Sequence, residues 1–236
     1  MLRIVPWSSR DEWLTTYNDL YNFENIDQQI EGLNRVEAWK SRSGSKLPLA
    51  VESTASLIAA GVEDVRSVVN ANVIRHTMAM ALVRFVSGIV DMEQKHAYAR
   101  SMQSIADDIG LPDWLVDLRH EAIHASLPSM QVVRAGCRFA LEWLKEHYWD
   151  SQIKEFADRD KALTLLLQDY AKCFDDAKKK KNFGIKSKMK IIIHEIQDLV
   201  SKFNMWQRFV DLSFGEKWLL LPSYDILRER FPLKTI

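Results

Sequence analysis

A long apolar stretch over residues 64–90 constrains the fold of this chain more than any other feature of its sequence. Its apolar side chains recur at spacings of three and four residues, which predicts a long helix at the centre of a domain. The most apolar part, residues 73–92, is interrupted by Arg75, His76, Arg84 and Asp91. No run therefore reaches the roughly 18 uncharged apolar residues that a membrane span needs. We predict the buried helix of a soluble protein and no association with a membrane.

Helical patterns also dominate the rest of the sequence. Apolar residues at helical spacing, separated by caps and stop signals, predict further helices over residues 10–31, 48–60, 92–109, 113–124, 129–148, 153–176 and 186–203. Gly61 is the expected end of the second of these, and the Gly-Leu-Pro sequence at 110–112 is the expected end of the third. The β-branched clusters lie inside helical periodicities, and the sequence contains no Asn-Gly or Asp-Gly hairpin signal. The sequence therefore predicts an all-α fold.

Charge and cysteine content narrow the class of protein. The 32 Lys and Arg residues are balanced by 32 Asp and Glu residues, so a surface that binds nucleic acid must come from a local excess of positive charge. Cys137 and Cys173 each lie in an apolar helical stretch and imply no disulfide framework, which fits a reducing compartment. The N-terminus also lacks the long apolar run of a secretory signal.

The clearest local excess of positive charge comes after residue 150, where the sequence changes in character. Residues 178–190 hold seven lysines and no acidic residue, beginning with Lys178, Lys179, Lys180 and Lys181. Such a run is most often a solvated loop and helix start, but it also suits contact with RNA phosphates or a nuclear-targeting signal. We predict one domain over residues 1–150 and a helical C-terminal region with a lysine-rich loop over residues 151–236.

The side chains best suited to chemistry lie in the predicted helix over residues 113–124. On a helix, His120 and His124 are one turn apart on one face, and Arg119, about 100° round from His120, can reach the same pocket. Imidazole titrates near neutrality, so one histidine can take the proton from a ribose 2′-hydroxyl while the other protonates the leaving 5′-oxygen. Arginine keeps its charge and offers several donors to phosphate oxygens. The three residues suit cleavage of RNA without a metal ion.

The same residues also allow a zinc site or a chance occurrence of the pattern. Histidines four residues apart also suit zinc, but zinc needs further ligands, Glu121 points elsewhere on the helix, and no His-Glu-x-x-His sequence or cysteine pair is present. An arginine and a histidine five residues apart also arise by chance in a chain of ordinary composition. One helix supplies too few groups to surround a phosphate, so a nuclease site here needs a second copy from a symmetry-related subunit.

Longer blocks of the sequence resemble a known family. Arg119 and His124 fit the Arg-x-x-x-x-His signature of the HEPN (higher eukaryotes and prokaryotes nucleotide-binding) ribonucleases. Most of residues 1–150 resembles the Las-one family of eukaryotic ribosome-biogenesis nucleases, through blocks at 5–13, 48–57, 75–94 and 110–128 and through Trp143, Leu144, Tyr148 and Trp149. The most specific part is Arg-His-x-x-x-His followed by Leu-Pro. Beyond about residue 150 we recognise no motif.

The resemblance implies a helical HEPN bundle that forms a homodimer, in which two copies of Arg119, His120 and His124 face each other. It implies cleavage of pre-ribosomal RNA in the second internal transcribed spacer, without metal or cofactor, leaving a 2′,3′-cyclic phosphate and a 5′-hydroxyl. The family acts in the nucleus and nucleolus with a polynucleotide kinase that binds near the end of a longer chain, so we expect this chain to be part of a longer protein. The alternative is a non-catalytic helical scaffold that docks the kinase or the pre-ribosome.

Other aromatic and histidine residues stay outside the predicted site. His76 follows an arginine, but Met80 stands where a second signature would need histidine, so we expect His76 in the core or at an interface. Aromatic residues at helical spacing usually belong to the core rather than to a base-stacking surface, which is our interpretation of Trp114, Trp143 and Trp149.

Overall fold

The computed structural model describes residues 6–66, 68, 70–94, 101–179, 183–203 and 205–214. Within these ranges the regular elements are helices and no strand is present, so the all-α prediction is confirmed. The chain divides into two compact units, one ending at Ser151 and the other beginning at Gln152.

The described part of the first unit contains, in chain order, α1 (Arg10–Leu20), α2 (Ile26–Ser43), α3 (Leu49–Arg66), α4 (Ala71–Glu93), α5 (Met102–Asp108), α6 (Asp113–His124) and α7 (Met130–Leu144). A 3-10 turn over Gly44–Lys46 precedes α3, and a π-helical turn over Lys145–Asp150 follows α7. The later helices are α8 (Ser151–Lys179), α9 (Phe183–Phe203) and α10 (Trp206–Phe214).

Helix α4 lies at the centre of the first unit, with α3, α6 and α7 packed against it. Its inner face is fully buried at Leu82, Phe85 and Val86. Gly136 allows α7 to come close, because a Cβ at this position would lie 2.9 Å from the side chain of Leu82. The apolar inner face and the small residue opposite it together set the position of α7.

The same helix is long and apolar enough, by length and composition, to cross a membrane. The core helix of a soluble protein meets the same criterion, and 56% of the apolar window of Ala71–Glu93 is buried inside the protein. Its packing against α3, α6 and α7 accounts for its apolar character.

Aromatic side chains join the two ends of the first unit. Trp13, Trp39 and Trp149 are fully buried, and the rings of Trp13 and Trp149 have centroids 4.8 Å apart. The hydroxyl of Tyr17 donates to Asp150 Oδ1 at 3.0 Å. These contacts hold the π-helical turn against α1, and the predicted core position of Trp149 is confirmed.

Two long predicted helices are each broken in the structure. The prediction over residues 10–31 is wrong because the side chain of Asn25 accepts from the backbone N–H of Gln28 and starts a new helix there. The prediction over residues 64–90 is wrong because α3 ends at Arg66 and Asn70 caps α4. Gly61 does not end α3, which continues to Arg66 with Val62 buried beyond the glycine.

Other boundaries also differ from those predicted. The segment 92–109 is not one helix: α4 ends at Glu93, α5 covers Met102–Asp108, and residues 95–100 lie outside the described residues. Gly110 follows α5 with a φ of 72°, in agreement with the predicted stop. The predicted helices at 129–148 and 153–176 are joined without a break, because the π-helical turn carries the chain from α7 into α8.

The second unit has its own apolar core. Leu163 and Leu167 on α8 are fully buried, and Ile192, Ile196 and Val200 at helical spacing on α9 belong to the same cluster. Arg208 Nε on α10 donates to Asp160 Oδ2 on α8 at 3.0 Å, which adds a polar contact at the edge of this cluster.

Candidate active site on helix α6

The position of α6 is set by its apolar residues. Leu115, Val116 and Leu118 are buried, and α6 packs against α4 and α5. Because these three side chains point inward, the opposite face of α6 is left open to solvent. His120 and His124 are exposed and Arg119 is half-buried, so the structure places all three predicted catalytic residues on one helix beside α4.

The two histidines of α6 form a close pair. The centroids of their rings are 4.8 Å apart, with the ring planes inclined by 48°. Both rings are open to solvent. A bound phosphodiester could therefore contact nitrogens of both His120 and His124 from the side on which α6 lies.

The guanidinium of Arg119 is held against α4. Its Nε donates a hydrogen bond to Ser87 Oγ at 3.2 Å. This contact uses one N–H of the guanidinium and leaves its two terminal nitrogens for a ligand. Arg119 directly precedes His120 on α6, so its charge can stabilise a negatively charged group that also reaches the histidine pair.

The site also offers few candidate metal ligands. Among the residues that the structure describes, no group of three or more His, Cys, Asp or Glu side chains is arranged to hold a metal ion. Glu121 is exposed on α6, one position from His120 and therefore about 100° round the helix from it.

Comparison with known proteins identifies the family of this chain. The model of the Las1-like family matches residues 5–151, which is more than half of the chain. The chain belongs to the Las1-like family. The prediction made from the sequence blocks is confirmed.

The curated relatives of this Las1-like chain include two proteins whose names describe a role. It is 37% identical over 151 residues to the mouse protein called ribosomal biogenesis protein LAS1L. It is 32% identical over 154 residues to the fission yeast pre-rRNA-processing protein las1, and 32% identical over 159 residues to budding yeast protein LAS1.

The similarity covers one part of each protein. It includes 64%, 63% and 64% of this Las1-like chain, but only 19%, 31% and 32% of the mouse, fission yeast and budding yeast proteins. The part matched by the family model contains α6 and its three site residues.

The structure also gives the positions of His76, Trp114 and Trp143, which were not predicted as site residues of this Las1-like chain. His76 is exposed and its Nδ1 lies 2.7 Å from the carbonyl oxygen of Asn72, so it does not lie in the core, and its predicted alternative position at an interface stays a prediction. Trp114 is 43% exposed and makes an edge contact with Phe139, so its predicted core position is wrong. Trp143 is half-buried and stacks on His147, with centroids 4.2 Å apart.

The lysine run of this Las1-like chain is described only in part. Lys178 and Lys179 end α8, whereas Lys180 and Lys181 lie outside the described residues. The next lysines along the chain, Lys186, Lys188 and Lys190, are exposed at the start of α9. Contact between this run and RNA stays a prediction.

Sequence reasoning missed Ser87, which contacts Arg119 from α4. A weak signal was present: Ser87 is a polar residue in the apolar block 75–94 that resembles the family. Nothing in its spacing links it to Arg119, which lies 32 positions further along the chain. Only the packing of α6 on α4 brings the two side chains together.

Proposed function

We propose that this Las1-like chain is a metal-independent endoribonuclease that cuts pre-ribosomal RNA, with Arg119, His120 and His124 as its catalytic residues. The observation that carries the proposal is the exposed pair of His120 and His124, with ring centroids 4.8 Å apart, on the same helix as Arg119, whose guanidinium is bound to Ser87. The names of the mouse and fission yeast relatives support ribosomal RNA as the substrate class.

The proposed reaction is a transesterification within the RNA. A neutral imidazole of the pair removes the proton of the ribose 2′-hydroxyl, and the 2′-oxygen attacks the adjacent phosphorus. A protonated imidazole gives its proton to the leaving 5′-oxygen as the P–O5′ bond breaks. The products are a 2′,3′-cyclic phosphate and a 5′-hydroxyl. Arg119 stabilises the negative charge of the phosphorane through its terminal nitrogens.

The cleavage site and the cellular setting follow from the family resemblance. The substrate would be the second internal transcribed spacer, cut in the nucleus and nucleolus during maturation of the large subunit. A polynucleotide kinase partner would phosphorylate the new 5′-hydroxyl. The chain spans about a fifth to a third of the length of its curated relatives, so these properties are proposed for the whole protein.

The active site is proposed to be complete only in a homodimer. Val73, Met80 and Ser87 recur every seven residues and therefore lie along one face of α4. Val73 and Met80 are 53% and 57% exposed, and Ser87 contacts Arg119. Val73 and Met80 thus form an exposed strip on the same face of α4 as the contact that holds Arg119. Burial of this strip against a second copy would bring a second His120–His124 pair to the opposite side of the phosphate.

The experiment that tests this function is end-group analysis of RNA incubated with the purified protein. Arg119→Ala, His120→Ala and His124→Ala should each reduce cleavage, by about 10²–10⁴-fold for a lost proton transfer. His147→Ala is the matched control, because His147 is also an exposed histidine near a helix end in the same unit. Products other than a cyclic phosphate and a 5′-hydroxyl would contradict the mechanism, and no cleavage by any form would favour a non-catalytic scaffold.

A further inference from the structure

Ser87 is a polar contact between the centre of the first unit and the proposed site. It lies half-buried on α4, between Val86 and Gly88, on a helix whose inner face forms the core. Its hydroxyl oxygen accepts the hydrogen bond from Arg119 Nε at 3.2 Å. Ser87 therefore ties the guanidinium of Arg119 to α4, the central helix of the unit.

The nitrogen that Ser87 contacts determines how Arg119 is presented. A guanidinium can meet a phosphate through Nε and one terminal nitrogen, or through its two terminal nitrogens. The bond from Nε to Ser87 occupies the first of these edges. It leaves the second edge, formed by the two terminal nitrogens in one plane, for a ligand. A hydrogen bond at Nε also restricts rotation about the last torsions of a long, flexible side chain.

We infer that Ser87 is a positioning residue that holds the guanidinium of Arg119 ready for the phosphorane. This inference rests on the proposed function and adds a residue to it. Groups that stabilise a developing charge are most effective when they are fixed before the reaction begins, because they need no reorganisation at that moment. A neutral hydroxyl suits this task, since a carboxylate at the same place would compete with the phosphate for the charge of Arg119.

The kinetic test compares Ser87→Ala with Ser87→Thr, which keeps a hydroxyl. Ser87→Ala should lower kcat by about 10-fold, the size expected for one hydrogen bond to a charged group, with little change in KM. Ser87→Thr should restore most of the loss. Ser56→Ala is the matched control, because Ser56 is a half-buried helical serine of the same unit whose hydroxyl bonds to Glu52 O. It should cleave as fast as the wild type.

A second comparison separates positioning from a general effect on the fold. Lysine has no guanidinium and so no group that corresponds to Nε–H of arginine. In an Arg119→Lys background, Ser87→Ala should therefore not lower the single-turnover cleavage rate any further. If Ser87→Ala lowered the cleavage rate of Arg119→Lys by about 10-fold, the full effect expected for the hydrogen bond, Ser87 would not act through Arg119. That result would overturn the inference.

A readout that needs no activity is the ¹H–¹⁵N NMR signal of Arg119 Nε, assigned by its loss in Arg119→Lys. Ser87→Ala should lower the order parameter of this group and speed its hydrogen exchange, and Ser87→Thr should restore both. An unchanged signal in Ser87→Ala would overturn the inference. Cleavage by Arg119→Ala at the wild-type rate would instead overturn the proposed function. The NMR comparison of the wild type with Ser87→Ala would still test the contact between Ser87 and Arg119.

Discussion

Trp149 donates its indole N–H to the hydroxyl oxygen of Thr54 at 3.0 Å, across 95 positions of the chain. Both residues are fully buried. Thr54 in turn donates to the carbonyl oxygen of Ala50, so its hydroxyl is used as a donor and as an acceptor. This bond joins the π-helical turn to α3 and explains how the end of the first unit is held against its core.

Trp149→Phe should lower the free energy of unfolding by about 1–3 kcal/mol. The change removes the indole N–H, leaves the hydroxyl of Thr54 without its donor, and replaces a double ring by a smaller one in a packed site. Urea denaturation measures the difference. Trp206→Phe is the control, because Trp206 is 53% exposed and should change stability by about 0.5 kcal/mol or less. Equal effects for the two variants would contradict this account.

Glu12 should make the stability of the first unit depend on pH. Burial alone would raise its pKa, but hydrogen bonds from Ser8, Trp39 and Arg42 together lower the pKa to about 2. A carboxylate whose pKa is lower in the folded state stabilises the fold above its unfolded pKa, here about 4.5, and this contribution is lost as the pH falls towards 2.

The measurement for Glu12 is the difference in free energy of unfolding between the wild type and Glu12→Gln. The wild type should be more stable at about pH 7, and the difference should shrink between pH 4.5 and pH 2. Glu146→Gln serves as a control, since Glu146 is an exposed acid of the same unit. A difference that stayed constant down to pH 2 would show that the charge of Glu12 is not what stabilises the fold.

The sequence predicts those features that depend on neighbours along the chain. The face shared by His120 and His124 follows from helical periodicity alone, and the structure has this helix over Asp113–His124, as predicted. The helix ends at Leu20 and Arg66 were missed because apolar spacing continues beyond them, and the side chains of Asn25 and Asn70 decide where α2 and α4 begin. A capped break and a continuous helix differ by a small free energy, and the spacing of apolar residues does not show which of the two is favoured.

Contacts between distant segments could not be predicted. The bonds from Arg119 to Ser87 and from Trp149 to Thr54 each depend on how two helices pack, which periodicity leaves open. His76 was expected in the core or at an interface, and the structure excludes the core. The apolar block around it does not show which of its residues face outward.

Cleavage should continue in the presence of a chelator. Imidazoles carry out the proposed proton transfers, and Arg119 stabilises the negative charge of the phosphorane. No step of the mechanism therefore depends on a divalent ion. The initial rate in EDTA should equal the rate without it when RNA is in excess. Loss of cleavage in EDTA that zinc or magnesium restores would contradict the mechanism.

The lysine run should contribute to RNA binding through its charge. Replacing Lys178–Lys181 by glutamine should weaken binding equally for different RNA sequences and reduce its dependence on salt, by about 0.7 in the log–log slope for each phosphate that the variant no longer neutralises. The control changes four lysines elsewhere in the second unit, so that net charge falls equally: Lys154, Lys161, Lys172 and Lys202. An unchanged slope after removal of Lys178–Lys181 would identify the run as a solvated segment.

Dimerisation should depend on the exposed strip of α4. Met80→Glu places a charge in that strip and should shift the protein towards monomer in light scattering, with a loss of cleavage at low concentration. Phe23→Glu is the matched control, because Phe23 is 62% exposed but lies in the turn between α1 and α2. It should leave both the mass and the cleavage rate unchanged.

The composite site also predicts how mixed dimers behave. An in-line displacement needs one group near the 2′-oxygen and another near the 5′-oxygen, on opposite sides of the phosphorus, and α6 of one subunit forms only one wall. Subunits that carry both Arg119→Ala and His124→Ala should therefore inactivate their wild-type partners. After exchange at equal amounts, about half of the wild-type subunits lie in mixed dimers, so activity per wild-type subunit should fall about twofold. A monomer that kept full specific activity would contradict the composite site, because its missing acid or base would then have to come from elsewhere in the same chain.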